Sequence, residues 1–585
     1  MPKHYELRAL CVRIKIVNHM LKQVLRVWLS RTDLTAIRAA SFGLVFGLWF
    51  LGPRNIMPGS IDWLNRGDLA AYQLSWEFFR QSPLIQWPLT AVPNYGVSFQ
   101  TVLVNGNALI ELPLKFMRPI LPSSFQYVGM WIVGCFVLQG YFAARLLTHF
   151  ITGRFVRLAF STIFIVSPVL VFRIGIAGHP AFGAHWFILC AFYLYFSDRQ
   201  SHVYWSILIA LVLTTNIYIS AMVIFVYIAA VSKVLLTGRE VSRAQSVGRL
   251  IFVPLLVGAL TFIVMGYLEY GSSAKGTGFF RLNAMAFWNP GFSSQDSFSF
   301  VLNHFGPLRV RQLVAEEGEG FGYLGLGTVL TIPLIVVYMI RHRTATWWRT
   351  VFPLLAVCVF MFLVAMSNRV AIVRHEFYYW LPESVLDLRQ TFRAATRFAW
   401  PMYYLLTLAG VVAMVRIVRG RRAIVMAVLL LVGVHILDQI PGLVYVHRQL
   451  SSQPPYRSPL ADPEWENLAK KYTKINVFPN FDLQVGQGSP DAEFWNGEWY
   501  HFAHFAVDNE MATGFGYFSR PVTRFLEQDN SRMTRELTTG NLEANTIYVL
   551  SNPGTWEFAK SRLEDKQHAL ILDGFFVILG PIASE

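Results

Sequence analysis

The sequence predicts a mainly α-helical protein with about eleven membrane-spanning helices followed by a C-terminal α/β domain, and three observations carry that prediction. Of 585 residues, 54% are hydrophobic and only 15% charged, with mean hydropathy +0.41; a soluble chain of this length needs more polar surface. Apolar runs long enough for a ~30 Å hydrocarbon core recur up to residue 440. Beyond that point they give way to short strand-like and helix-like segments.

Residues 1–37 carry Lys3, Arg8, Arg13, Lys15, Lys22, Arg26 and Arg31, which predicts a basic amphipathic segment on the inner membrane surface. Its first apolar run begins only near Ala36, far behind the short n-region of a signal peptide, so it is read as uncleaved. The membrane domain, 38–440, has spans near 38–54, 127–149, 156–174, 183–197, 249–268, 323–341, 349–367, 399–418 and 423–440. The run 203–236 is too long for one span, and Thr214-Thr215-Asn216 divides it into two.

Lys and Arg concentrate in the N-terminal segment and in every second short connection, at Arg154 and Arg157, Arg239 to Arg249, Arg341 to Arg349, and Arg419 to Arg422. The positive-inside bias then puts the N-terminus in the cytoplasm and the tail, 441–585, on the far side. Basic inner loops beside anionic lipid account for the net charge of +15 without nucleic acid. Cys11 falls in the inner segment and Cys135, Cys190 and Cys358 in spans, so no disulfide framework is expected.

Long loops gather on one side, at 55–126, 269–322 and 368–398, and loops of that length are where function concentrates. In the first, Leu69, Tyr72, Trp76 and Phe79 share one helical face and Gln73, Glu77 and Arg80 another, which predicts a helix lying flat at the interface. A second helix is expected over 108–117. Asp68, at the head of the first, is a candidate catalytic carboxylate and equally a candidate N-cap. Tyr95, in Pro93-Asn94-Tyr95-Gly96, and Asn105, in Asn105-Gly106-Asn107, suit an aromatic-walled polar pocket or ordinary turns.

Arg389, Arg393 and Arg397 recur every four residues, placing three guanidinium groups on one helical stripe suited to phosphate or to headgroup anchoring. His179 and His185 bracket a turn close to Arg173 and are read as substrate or lipid-phosphate contacts or as a capped turn. Glu316, Glu317 and Glu319 enter a span from a glycine-rich turn, an arrangement open to ligand or divalent-metal contact or to plain solvation. No zinc spacing, nucleotide fingerprint, phosphate-cradling loop or nucleophile elbow occurs.

In the tail, 475–478, 546–550 and 575–579 read as strands and 463–472, 522–538 and 556–565 as helices. Between them Asp491, Glu493, Trp495, Trp499, His501 and His504 suit either a sugar-facing surface or an aromatic core with solvated acids.

Many spans, a first outer loop with a carboxylate and two helices, and a C-terminal domain together resemble the membrane glycosyltransferases of the C-type fold, which use sugars carried on polyprenyl phosphate. More closely, the chain resembles a bacterial family of such proteins, the domain of unknown function family 6311. That resemblance rests on Gly67-Asp68, Trp76-Glu77-Phe78-Phe79-Arg80, Pro93-Asn94-Tyr95-Gly96, Phe125-Gln126-Tyr127 with Trp131, and Gly178-His179. Ala184-His185-Trp186, Gly322-Tyr323-Leu324-Gly325-Leu326-Gly327 and Arg393 with Arg397-Phe398 complete it across most of the chain. The family's pattern departs at Asn105, where an acidic residue is expected; a metal or second base held there would be missing from this protein.

The resemblance implies transfer of a sugar from a polyprenyl-phosphate donor to a glycan, lipid or protein acceptor on the periplasmic face of a bacterial inner membrane. Asp68 would be the base, and Arg389, Arg393 and Arg397, helped by His179 and His185, would hold the lipid phosphate. The alternatives are a transporter or flippase for lipid-linked saccharides, which internal repeats and mid-membrane charges would mark, and a noncatalytic assembly partner.

Overall fold

The computed structural model describes residues 33–96, 106–238, 244–269, 280–292, 296–305, 319–342, 344–390, 392, 394–480, 490–517, 523–565 and 568–583. The basic segment falls outside these residues up to position 32, as do Asn105, Glu316, Glu317 and Arg393.

The chain is mainly helical. In order it forms α1 (Leu34–Leu51), α2 (Gly67–Gln81), α3 (Ala108–Phe116), α4 (Val128–Leu147), α5 (Arg154–Ile165), α6 (Pro168–Gly175), α7 (Trp186–Phe196), α8 (His202–Leu213), α9 (Ile217–Thr237) and α10 (Ala244–Val264). Then come α11 (Phe300–Phe305), α12 (Leu326–Val329), α13 (Ile332–Arg341), α14 (Ala345–Met366), a hairpin of β1 (Arg369–Ile372) and β2 (His375–Tyr378), α15 (Glu383–Gln390), α16 (Trp400–Ile417), α17 (Arg421–Asp438) and α18 (Ile440–Ser451).

Among the described residues seven helices are long and apolar enough to cross a membrane: α1, α4, the joined α5 and α6, α9, α10, α14, and α16 with the turn before it. A bent pair, α17 and α18, with 48° between its halves, makes an eighth if it counts as one. The apolar helices Pro180–Phe196, His202–Leu213 and Leu326–Arg341 are shorter. The division inside 203–236 falls at the predicted turn, where the Asn216 side chain accepts from the backbone N–H of Tyr218 and Ile219 and caps α9.

Helix α2 does not lie flat with one face on a lipid boundary. Leu69, Ala70, Tyr72, Gln73, Leu74, Trp76, Phe78 and Phe79 are all buried, so its surroundings are protein on nearly every side. Below, Trp76 Nε1 donates to the Phe125 carbonyl at 3.0 Å, and Arg80 clasps the carbonyls of Leu121, Pro122 and Ser123. Above, the C-terminal domain covers it: Gln81 Nε2 donates to the Val507 carbonyl at 2.7 Å, and Asn65 Oδ1 meets His504 Nε2 at 2.6 Å. A two-faced helical pattern fits a helix between two protein layers as well as one between protein and lipid.

The C-terminal domain comprises α19 (Glu464–Ala469), β3 (Lys474–Phe478), α20 (Pro490–Asp508), β4 (Ala512–Thr513), α21 (Thr523–Thr539), β5 (Thr546–Leu550), α22 (Pro553–Arg562), β6 (Ala569–Leu572) and β7 (Phe575–Leu579). Its five strands run in the order β4-β3-β5-β7-β6. β4, β3 and β5 are parallel, and β7 pairs antiparallel with β5 and β6. Every residue of β5 is buried, as expected of a central strand covered on both faces. Ile547 and Val549 share a core with Trp465, Trp495, Trp499 and Phe502, while Tyr548 and Leu550 face Met533, Leu537 and Trp556 on the other side. Trp495 and Trp499 are thus core residues rather than a sugar-facing surface, and His504 is buried against Asn65.

The seam with the first loop includes a strand-like bridge. Thr513 of β4 donates its N–H to the Asn94 carbonyl and accepts from the Gly96 N–H, both at 3.0 Å. Tyr95, held in that bridge, is buried and stacks on Phe78 with centroids 4.4 Å apart.

Candidate functional site

Asp68 is the second residue of α2. The cap position belongs to Arg66, whose side chain makes no capping bond, so the helix-cap role does not fall to Asp68. Its Oδ2 instead lies 2.5 Å from Nε2 of His179. Gly178 makes the approach feasible: its φ of +65° bends the chain back after α6, and a Cβ there would stand 3.5 Å from Leu69 Cγ and 4.0 Å from Asp68 Cβ.

The other imidazole nitrogen, Nδ1, is 3.4 Å from Nη1 of Arg173. A guanidinium only donates, so Nδ1 accepts and Nε2–H points to the Asp68 carboxylate. Arg173 sits on the last turn of α6 and is 1% exposed. Its Nη1 also donates to Glu319 Oε2 at 2.7 Å and its Nη2 to the Glu319 carbonyl at 3.0 Å.

Glu319 is the hub. Arg397 donates to both of its carboxylate oxygens, Nε to Oε2 at 3.2 Å and Nη2 to Oε1 at 3.0 Å. Thr396 Oγ1 donates to the Glu319 carbonyl at 2.9 Å, and His179 Nδ1 lies 4.0 Å from Oε1. The Arg397 guanidinium lies over the rings of Phe182 and Tyr218, at 4.0 and 4.8 Å. Burial disfavours the charge on Glu319, yet Arg173 and Arg397 outweigh it and hold the carboxyl well below its ordinary range.

Asp68 obeys the same balance. Burial pushes its pKa up, but His179 and a hydrogen bond from Tyr517 bring it below the ordinary value. Tyr517 follows β4 in the C-terminal domain, so that domain supplies a group to the cluster. The Asp68 side chain keeps 25% of its surface exposed. Tyr72, one turn along α2, is buried beside Asp68, and its phenol is pushed up first by burial and then by that charge.

The three expected arginines do not form one helical stripe. α15 ends at Gln390, and Arg397 belongs to a separate 3-10 turn, Ala395–Ala399. Arg389 lies in α15, and Arg393 and Asn105 lie outside the described residues. A spacing of four gives a stripe only while the helix continues, and here the backbone changes winding between the residues.

His185 is not in the cluster either. It is buried, with Nδ1 2.8 Å from the Tyr404 hydroxyl and its ring against Trp400. Tyr95 belongs to the domain seam. Among the predicted residues the structure therefore joins Asp68, His179, Glu319 and Arg397, and adds Arg173, Thr396, Tyr72 and Tyr517. Arg173 had a signal in the sequence, as an arginine at the far end of the apolar run 156–174; Tyr517, far away in the chain, had none.

Glu319 is saturated by arginine rather than open to a cation, and among the described residues no group of three or more His, Cys, Asp or Glu side chains is arranged to hold a metal. What the cluster offers is a partly accessible, ionised carboxylate fixed by an imidazole, beside two guanidinium groups that share a single carboxylate. Such a site can accept a proton at Asp68 and attract an anion beside it.

A family model described as a domain of unknown function, DUF6311, matches residues 40–438, and one described as the DUF6311 C-terminal domain matches residues 464–580. No curated protein matches the chain.

Proposed function

The chain belongs to the DUF6311 family, and within it we propose an integral membrane glycosyltransferase of the C-type fold that moves a sugar from a polyprenyl-phosphate donor to an envelope glycan, lipid or protein acceptor. The carrying observation is the 2.5 Å contact of Asp68 with His179 next to the Arg173–Glu319–Arg397 network. It joins a base to positive charge, the two things this transfer needs.

In this reading Asp68 takes the proton from the acceptor hydroxyl while the acceptor oxygen bonds to the anomeric carbon. The bond from that carbon to the lipid phosphate breaks, and its electron pair leaves on the phosphate. Two guanidiniums less one carboxylate leave one positive charge beside the site, available to the departing phosphate. His179 holds the Asp68 carboxylate in place. Seven long apolar helices among the described residues, an eighth bent pair and three shorter ones are compatible with the eleven spans we propose for a bacterial inner membrane, and the alternating basic connections support a cytoplasmic N-terminus and a periplasmic C-terminal domain.

The test is to reconstitute the purified chain in vesicles with a panel of radiolabelled polyprenyl-phosphate sugars and envelope acceptors. Released polyprenyl phosphate and labelled acceptor, both lost in Asp68→Asn, are the expected result. Donor movement across the vesicle without cleavage marks a flippase, and neither outcome marks an assembly partner; each overturns the proposal.

A further inference from the structure

At the opposite end of the bundle from Asp68 lies a cavity of about 250 Å³ between α4, α7 and α8. Trp131, near the start of α4, bonds to the Pro180 carbonyl beside His179, whereas Arg145, near its end, lines the cavity. The separation of fourteen positions places the two sites about 21 Å apart along the helix axis, at ~1.5 Å per residue.

The cavity has an apolar body and a cationic mouth. Phe142 and Trp186, stacked with centroids 5.6 Å apart, form part of its wall, and Ile207 and Leu211, both exposed on α8, form its rim. Arg145 and Arg199 stand with them. Arg145 Nη2 donates to the Tyr193 hydroxyl at 2.5 Å, which fixes the guanidinium and leaves other donors free. Among the described residues neither arginine has an ion-pair partner, including the exposed Asp198 beside Arg199. The α7–α8 turn is itself held firm, since Gln200 donates to the carbonyls of Leu194, Tyr195 and Ser197 and accepts from Trp205.

We infer that this cavity binds an anionic phospholipid of the inner leaflet, its phosphate on Arg145 and Arg199 and part of one acyl chain between Trp186 and Leu211. The exposed apolar residues Ile207 and Leu211 on its border suit entry of a lipid chain, and basic pockets between helices on the cytoplasmic side are suited to anionic headgroups. The volume is below that of a typical drug-sized site, which favours one slim chain over a bulky saccharide-lipid. The inference rests on the membrane reading and its orientation, and not on the glycosyltransferase assignment.

The test uses full-length protein purified in detergent, with native mass spectrometry against phosphatidylglycerol, phosphatidylcholine and inorganic phosphate. Phosphatidylglycerol should be retained about tenfold better than phosphatidylcholine, and Arg199→Gln should remove most of that preference. Arg199 is exposed, so this variant keeps the fold if Arg145→Gln does not. Leu211→Trp, which fills the rim and leaves both charges, should lower retention of either lipid. Equal retention of the two lipids, preference unchanged in Arg199→Gln, or displacement by millimolar inorganic phosphate alone would each overturn the lipid site. Cell fractionation separates the premise: chain recovered in the soluble fraction refutes the membrane reading itself.

Discussion

Asp68 Oδ2 and His179 Nε2 meet at 2.5 Å although 111 positions separate them in the chain. Arg173, six residues before His179, fixes the other side of the same ring. The histidine therefore orients the carboxylate and is itself oriented, as a base held for proton transfer must be.

Replacing Asp68 by Asn keeps the shape and removes the base. Transfer should fall by about 10²–10⁴-fold, with the melting temperature within a few degrees of the parent. His179→Gln should fall less. Equal, full activity in both variants, measured by label transfer, would remove the cluster from the mechanism.

Glu319→Gln should destabilise the protein strongly, because it strips the carboxylate from Arg173, which is 1% exposed. Breaking one side of a buried pair costs about 3–5 kcal/mol. Replacing the exposed Glu527 by Gln is the control and should leave denaturation in detergent unchanged. A Glu319→Gln melting curve that overlays the parent would contradict the hub role.

Tyr517→Phe should act on the pH profile. The phenol helps hold Asp68 below its ordinary value of 3.8, so in the parent the base stays ionised as pH falls to about 4. Without the phenol the acid limb should move up, while activity at pH 8 changes little. A limb that stays put would show that the hydrogen bond does not reach the reaction.

Glu77 gives a stability test with the opposite sign. Burial raises it from 4.5 to about 8 in spite of Arg80, so the folded state holds a proton that the unfolded chain releases near pH 4.5. Stability should therefore decline as pH rises from about 5 to 8, by up to about 1.4 kcal/mol per pH unit for one such group. Glu111, raised to about 7, acts in the same sense. Glu77→Gln should flatten the decline, and an unchanged slope in denaturation curves would refute the assignment.

The long helices and the central strands were legible because their signals are local. Apolar runs of fixed length mark the bundle, and Thr-Ile-Tyr-Val-Leu at 546–550 reads as a buried strand whatever surrounds it. Asp68, His179, Glu319 and Arg397 stood out as polar groups at the ends of apolar runs. Their partners did not, because pairing is a three-dimensional fact: nothing near position 319 announces Arg173, and nothing near 517 announces Asp68. The arginine series shows the reverse error, in which spacing was informative only under a continuous helix that stops at Gln390. Helix α20 was hidden by its own composition, since buried tryptophans and sugar-stacking tryptophans look alike in sequence.

The bridge between Asn94, Gly96 and Thr513 has a consequence for aggregation. β4 is an outer strand of the five-stranded sheet, and an outer strand with unpaired amides is a template for another chain. Here the first loop occupies that edge and satisfies its polar groups from within the same molecule. Detached from that loop, the tail would present a raw strand edge to its own copies. The loop that carries Asp68 therefore also protects the domain above it from self-association.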